Sequence, residues 1–534
     1  MTSRPSFAIL AAAACALALP LPGPVHAAPL APGQQAVHVL NRLAFGPRPG
    51  DVERVQRIGV ERYIDEQLHP ETIPLPQALS ARLDALQTVR RSAGDALGDF
   101  LELRKEVRNE EEGAKQRRRI EQGRAAREEA EARLVRAIES PRQLEEVMVD
   151  FWFNHFNVYS GKGVDRALVA SYERDAIRPY ALGSFRALLG ATAKHPAMLF
   201  YLDNVVSSVP RPNAKGKAQG LNENYARELM ELHTLGVDGG YTQRDVTELA
   251  RMLTGWTFDQ RRLVHNDESF RFDAGRHDRG AKTWLGQEIA PHGQAEGEYA
   301  LDVLAMHPAT ARHLSFQLAQ YFVSDVPPPA LVERMSRTWM ASQGDIRAVL
   351  KTLFTSSEFM DSEAAGAKFK TPYQFVVSAV RASAAPLVNV GPLVNTMSQL
   401  GMPLYGCQTP DGYKNTQDAW LNPDALTRRI AFATALAQGK LPLNAPPASV
   451  QAPAPPSMSS MANLGGSDAS PAMLMPPPAS STPTPTSPAE PVDATGLQAT
   501  LAGALSRTTL ETVARNPDNL RAAMLLGSPD FMQH

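Results

Sequence analysis

The feature that most restricts this chain is the spacing of its apolar residues, which recur every three to four positions along most of its length. That period belongs to helices burying one stripe against a core. It predicts helices over residues 144–158, 167–178, 184–193, 222–235, 243–254, 308–323, 330–341, 345–354 and 372–384. Between 36 and 67 the same spacing is interrupted at Phe45-Gly46-Pro47-Arg48-Pro49-Gly50, which reads as helix, turn and a second helix capped by Asp51. Period-two alternation shows only at Phe270 and Phe272, inside a glycine-punctuated stretch over 257–297, and predicts a small β-hairpin. The expected fold class is mostly α: a multi-helix array around one extended core, with a β-hairpin insertion and a disordered proline-rich linker.

The chain has 534 residues, enough for one large domain or two. It carries 54 Lys and Arg against 56 Asp and Glu, a balance that argues against nucleic acid or an anionic membrane as the main partner. Residues 1–27 read as a Sec-type signal peptide: Arg4, an apolar run from Phe7 to Leu19, then Val25-His26-Ala27 before the expected cleavage. The run is too short to span a bilayer, which takes about 20 residues. No later stretch is long enough either, so no transmembrane segment is expected after cleavage and the chain should be periplasmic or extracellular. Cys15 offers a rival reading as a lipoprotein anchor, although apolar residues continue past it to Leu21. Cleavage after Ala27 would leave Cys407 as the one cysteine, so no internal disulfide could form.

Residues 28–440 read as a helical domain. Within it, 100–137 is dense in alternating charge, which predicts a long solvated helix or helical hairpin. Thirteen prolines between Pro446 and Pro491 mark residues 441–496 as a linker too poor in apolar surface to order itself. Residues 497–534 regain helical spacing as a C-terminal tail. Its ending, Leu525-Leu526-Gly527-Ser528-Pro529-Asp530-Phe531-Met532, echoes Leu353-Phe354-Thr355-Ser356-Ser357-Glu358-Phe359-Met360. Both predict a helix exit followed by an aromatic plug.

The segment from Asn222 to Trp256 reads as a helical hairpin. Asn222 caps its first helix, Gly236 ends it and Gly239-Gly240 reverse the chain. Thr242 and Asp245 have capping-box spacing, and Val246, Leu249, Ala250 and Leu253 form the buried stripe of the second helix. This segment resembles the signature of the domain of unknown function 1800 family. The resemblance extends to Leu40-Asn41-Arg42-Leu43-Ala44-Phe45-Gly46-Pro47, Trp152-Phe153-Asn154-His155-Phe156 and His195-Pro196-Ala197-Met198-Leu199-Phe200-Tyr201-Leu202-Asp203. It continues through His277-Asp278-Arg279-Gly280-Ala281-Lys282-Thr283, His307-Pro308-Ala309-Thr310-Ala311, and Pro410-Asp411-Gly412-Tyr413 with Trp420, covering 36–438. The resemblance implies an exported bacterial protein without an agreed activity. It also implies a partner or shared pathway with an exported sulfatase-like family, domain of unknown function 1501.

Candidate chemistry starts on the first signature helix. Asn224, Glu228 and Glu231 form a polar stripe beside the buried face, with Arg227 next to it. Carboxylates at i, i+3 lie ~5–6 Å apart at Cβ, close enough to share a proton, a metal or a substrate hydroxyl. A surface ion pair of Arg227 with Glu223 or Glu231 is the plainer alternative. His233 lies ~140° or more around the helix from either carboxylate and cannot pair with them on that helix. His155 sits among aromatics, where a core histidine is the plainer reading, and Asn154 beside it needs partners if buried. His277, Asp278 and Lys282 share a glycine-bounded loop of the kind that carries function or merely turns. His307 before Pro308 reads as a helix start, and His313 is a poor co-ligand for it. No G-x-S-x-G, H-E-x-x-H or C-x-x-C is present, which removes the main sequence support for serine hydrolases, zincins and thiol oxidoreductases.

Two functions stay open. One is a hydrolase-type enzyme acting on envelope or extracellular polymer, with Glu228, Glu231, His155 and Asp278 catalytic and Asn224, Asn154, His277 and Lys282 binding ligand. The other is a non-catalytic scaffold or binding protein for the sulfatase-like partner. Cofactor and metal are unspecified on either reading.

Overall fold

The computed structural model describes residues 30–212, 218–446 and 490–534. The expected signal peptide, Cys15 and most of the expected linker lie outside these residues. The described chain is mostly α-helical, with three short two-stranded antiparallel ladders. No helix among the described residues is long and apolar enough to cross a membrane.

Two helices run through the centre. Gln143–His155 buries every residue except Glu145 and Asn154, and Pro372–Ser383 buries all but its last. A helix buried on all sides must satisfy its own polar groups. Arg381 does so by donating to the carbonyls of Gly46 and Ile138 at 3.0 and 2.7 Å, and its guanidinium faces Asp51 at 3.4 Å. This ties the turn after the first helix, Pro32–Leu43, to the core. Asp51 is therefore not the N-cap expected of it. Gly50 takes that position in the left-handed region, while Asp51 accepts from the Arg48 amide and faces Arg381.

The charge-dense segment is a helical hairpin, Ala93–Arg108 and Ala114–Glu139. Its second helix is solvated only over its first half. Glu129, Arg133 and the apolar residues from Ala130 to Ile138 are buried, so the expectation of a solvated segment fails where the helix enters the core.

The signature hairpin forms from Asn224–Glu231 and Gln243–Met252. Its capping box closes as expected: Thr242 Oγ1 accepts from the Asp245 amide and Asp245 Oδ2 from the Thr242 amide. The first helix stops at Glu231, short of residue 235. His233 and Leu235 donate five residues back, to Glu228 and Met230, widening the last turn before Gly236 reverses at φ 83°. Asn222 stabilises the helix start through the Asn224 amide, one residue before the N-cap position, which Glu223 holds. The helix expected over 167–178 similarly changes pitch, from α over Asp165–Ser171 to π over Tyr172–Ile177. The wider turn lets Tyr172 Oη reach the Phe156 carbonyl and Glu173 reach Arg133.

Over 257–297 there are two ladders and an unanticipated helix. Trp256–Thr257 pairs with Arg271–Phe272, and Lys282–Trp284 forms a hairpin with Gln287–Ile289. Leu285 and Gly286, both at positive φ, make its two-residue turn. Helix Gln260–Asn266, capped by Asp259, lies between the strands of the first ladder.

The C-terminal residues pack back onto the body. Helix Asp518–Leu526 lies on Pro423–Ala437, Phe531 meets Phe375 edge-on, and Gln533 bridges to Phe369. The two echoing segments are locally alike. Ser356 and Ser528 each donate to the carbonyl three residues back and accept from the amide of the buried aromatic, Phe359 or Phe531.

Candidate functional site

A cavity of about 300 Å³ opens among five helices and the loops beside them. Gln143–His155 contributes Asp150, Phe151, Phe153, Asn154 and His155 at helical spacing. Pro308–Phe322 contributes His313, Gln317 and Tyr321, one face of a helix at i, i+4, i+8. Glu231, the last residue of the first signature helix, forms part of the rim, and the loop from Met402 to Asn415 closes the remaining side.

Asn154 holds that loop in place. Its Nδ2 donates to the Tyr413 carbonyl at 2.8 Å and its Oδ1 accepts from the Tyr413 amide at 2.7 Å. The approach is possible because residue 412 is glycine. A Cβ there would lie 2.2 Å from the Asn154 carbonyl oxygen, and φ is +67°. Gly412→Ala should therefore displace the loop and cost about 2 kcal/mol or more. A lowered denaturation midpoint and faster proteolysis around 402–415 would register this, and an unchanged midpoint would contradict it.

Below the cavity lies a buried charge network. Arg133 pairs with Asp150 at 2.6 Å and Glu173 at 3.1 Å, and its guanidinium lies against the rings of Phe153, Tyr373 and Tyr405. Tyr405 Oη donates to Glu173 at 2.9 Å, and Arg178 pairs with Glu173 and Glu146. Burial pushes the Glu173 carboxyl up, but Arg133 and Arg178 outweigh it and hold Glu173 below the usual range. Glu129 has no such cation: burial, then the charge of Glu173, pushes it up to about 8. Tyr405 has φ of +55°, a strained conformation for a bulky residue, and it lines both the cavity and this network.

The two histidines lining the cavity, His155 and His313, are held neutral. Burial, then His313, lowers the His155 pKa to about 3, and its Nε2 faces the His233 carbonyl at 3.2 Å. Burial also lowers His313, which bonds the Leu232 carbonyl. These two rings take up carbonyls that the widened end of the signature helix leaves free. Glu228 sits half-buried beside the rim. Burial, then Glu231, with a smaller push from Asp411, raises its pKa against the pull of Arg227.

The structure thus brings Asn154, His155 and Glu231 to one cavity, with Glu228 alongside. Asn224 is exposed and lies outside it. His277, Asp278 and Lys282 form a separate buried knot and do not reach the cavity. Lys282 Nζ lies 2.7 Å from Glu296 Oε2, His277 Nε2 lies 3.1 Å from Glu296 Oε1, and Asp278 pairs with Arg251 at 2.8 Å. The side chains of Lys282 and Glu296 are 0% and 1% exposed. Each of these groups has a partner within the knot. Sequence reasoning missed Tyr405 and Gln317, and weighed His313 only as a co-ligand of His307. The polar pair His313 and Gln317 at i, i+4 was a signal available in the sequence; Tyr405 left none. His195 and His307, each before a proline, are helix N-caps whose Nδ1 accepts from the amide two residues on. Among the described residues no group of three or more His, Cys, Asp or Glu side chains is arranged to hold a metal ion.

The fold is that of a mostly α-helical protein with an aromatic-lined cavity among its central helices. The sequence matches the family described as Protein of unknown function (DUF1800) over residues 38–533, and the chain belongs to that family. The match runs past residue 438 into the C-terminal helices that complete the core. No curated protein and no solved structure matches the chain.

Proposed function

We propose that this chain is an exported, hydrolase-type enzyme that acts on an envelope or extracellular polymer at the cavity. The observation that carries the reading is that the cavity walls hold polar atoms without partners. His313 Nε2, Gln317 Oε1 and Asn415 Oδ1 are buried and make no hydrogen bond among the described residues. Buried polar atoms are normally satisfied, so groups left open in a concave site favour a bound ligand. On this reading Glu231 is the carboxylate facing substrate, Glu228 is the acid kept protonated to higher pH by its surroundings, and His313 offers a neutral ring as base. Arg133, Asp150 and Tyr405 position the inner wall.

The test is to screen the purified mature protein against envelope and extracellular polysaccharides and peptides, with Glu231→Gln as the control. Turnover by the wild type that is lost in the variant supports the assignment; no turnover of any polymer removes it. Export has its own test. The mature chain should begin at Ala28, after the small-residue site that follows the apolar run. Intact mass of the envelope fraction checks this, and a lipid-modified Cys15 would replace the signal-peptidase reading with an anchor.

A further inference from the structure

The cavity has an imbalance of charge and of hydrogen-bonding groups that bears on its ligand. The charged side chains lining it are Arg133, Asp150, Glu231, Asp411 and Lys414. Arg133 is matched by Asp150 and by Glu173, and Lys414 pairs with Asp411 at 2.7 Å. Glu231 has no ion-pair partner among the described residues; its one hydrogen bond is a long one, 3.4 Å, from Tyr241 Oη. Glu228 has no side-chain hydrogen bond or ion pair among the described residues, because its neighbour Arg227 bonds Glu223 and Gln243 instead. The two histidines supply no compensating charge, since burial keeps both rings neutral. Two half-buried carboxylates at the rim therefore make no ion pair among the described residues, with Arg227 acting on Glu228 only from a distance.

The unpartnered atoms point the same way. His313 Nε2 is buried without a partner among the described residues. Gln317 Oε1 and Asn415 Oδ1 are likewise open. The two open amide oxygens accept, and both unpaired groups at the rim are carboxylates. The ligand has to bring the donors and the positive charge. Phe151, Tyr321 and Tyr413 also line the wall, beside the Phe153, Tyr373 and Tyr405 rings that Arg133 already engages, and aromatic faces attract a cationic nitrogen.

We infer that the cavity binds a ligand carrying a protonated primary amine, held between Glu231 and the aromatic wall with its N–H groups directed at the open acceptors. The inference rests on the cavity being the working site. Two sources share this chemistry, an amino-sugar unit and an alkyl-amine side chain.

Calorimetric titration of the full chain with glucosamine, glucose and n-butylamine, at mildly acidic pH where both amines are protonated, tests it. The expected result is that at least one amine binds and that glucose binds at least about tenfold more weakly than the tighter amine, a difference of ~1.4 kcal/mol. Raising the ionic strength from about 0.02 M to about 0.5 M should weaken amine binding and leave glucose unchanged. Glu231→Gln should lower amine affinity about tenfold without affecting glucose. Glucosamine tighter than butylamine identifies the amino sugar; the reverse identifies the alkyl amine. Glucose binding as tightly as the amines, or no binding by either amine, overturns the inference. If Glu231→Gln fails to fold, the amine-against-glucose and salt comparisons on the wild type still decide. Amine binding without turnover of any polymer would keep this inference and remove the hydrolase reading. Turnover of an amine-free polymer, with no amine binding, would do the reverse.

Discussion

Replacing Glu231 with Gln should lower turnover by ~10²–10⁴-fold, the usual contribution of a positioned acid or base, while leaving the fold intact. The side chain is the last residue of helix Asn224–Glu231, and its one hydrogen bond is the long contact from Tyr241. Gln has the same shape and can still accept that bond, so little stability is at stake. The partner group gives a pH signature. Burial, then the charges of Glu231 and Asp411, raises the Glu228 pKa, so Glu228 stays protonated at pH values where an ordinary glutamate has ionised. If it donates the proton in the reaction, kcat should fall as pH rises through that raised pKa. Glu231→Gln removes the first-ranked neighbouring charge, so residual activity should lose its proton donor at lower pH. A pH profile of kcat for both proteins measures this. Full activity in Glu231→Gln with a normal fold would leave the rim carboxylates as surface groups and favour a non-catalytic binding protein.

Helical class, the signature hairpin and its capping box were legible because they are local. Spacing fixes which face is buried, and Thr242 with Asp245 is a short-range pattern. Helix ends were less legible where a distant partner decides them. The first signature helix stops at Glu231 because the next carbonyls turn toward His155 and His313, which come from helices far away in sequence. Burial of Arg133 and Glu129 was hidden for the same reason. Their neighbours in sequence are charged, and only the fold brings Asp150, Glu173 and Tyr405 around the guanidinium.

The candidate site divides similarly. Asn154 was noticed because an amide among aromatics needs partners, and the structure supplies them in Tyr413. Glu231 followed from helical geometry. The His277 loop stayed open in the sequence because polar residues in a glycine-bounded turn look alike whether they serve a ligand or the fold. The deciding group, Glu296, begins another element, helix Gln294–Ala305, and nothing in sequence links it to His277 and Lys282.

That knot makes the strongest stability prediction. Glu296→Gln should destabilise the protein by ~3–5 kcal/mol at neutral pH, the cost of leaving the buried Lys282 ammonium without its anion. Lys282 would keep only the carbonyls of Asp278 and Gly280, and His277 would face an amide. The amides of His292 and Gly293 could still donate to Gln Oε1, so the loss isolates charge from hydrogen bonding. Acid titration should give a consistent figure. Burial alone would raise the Glu296 pKa, but His277, Lys282 and the His292 amide outweigh it and hold the carboxyl near about 2, against an ordinary 4.5. A carboxyl depressed on folding stabilises above its unfolded pKa and loses that contribution as pH falls through the folded one. Wild type should therefore lose about 3 kcal/mol between pH ~4.5 and ~2, at ~1.4 kcal/mol per pH unit, and the variant should not. Urea midpoints for both proteins across this range would show a gap that closes toward low pH. Because the knot lies away from the cavity, amine binding by the folded variant should match wild type. Equal midpoints at neutral pH would mean that Lys282 and His277 are held without Glu296, and their role in the family motif would have to be sought in ligand binding after all.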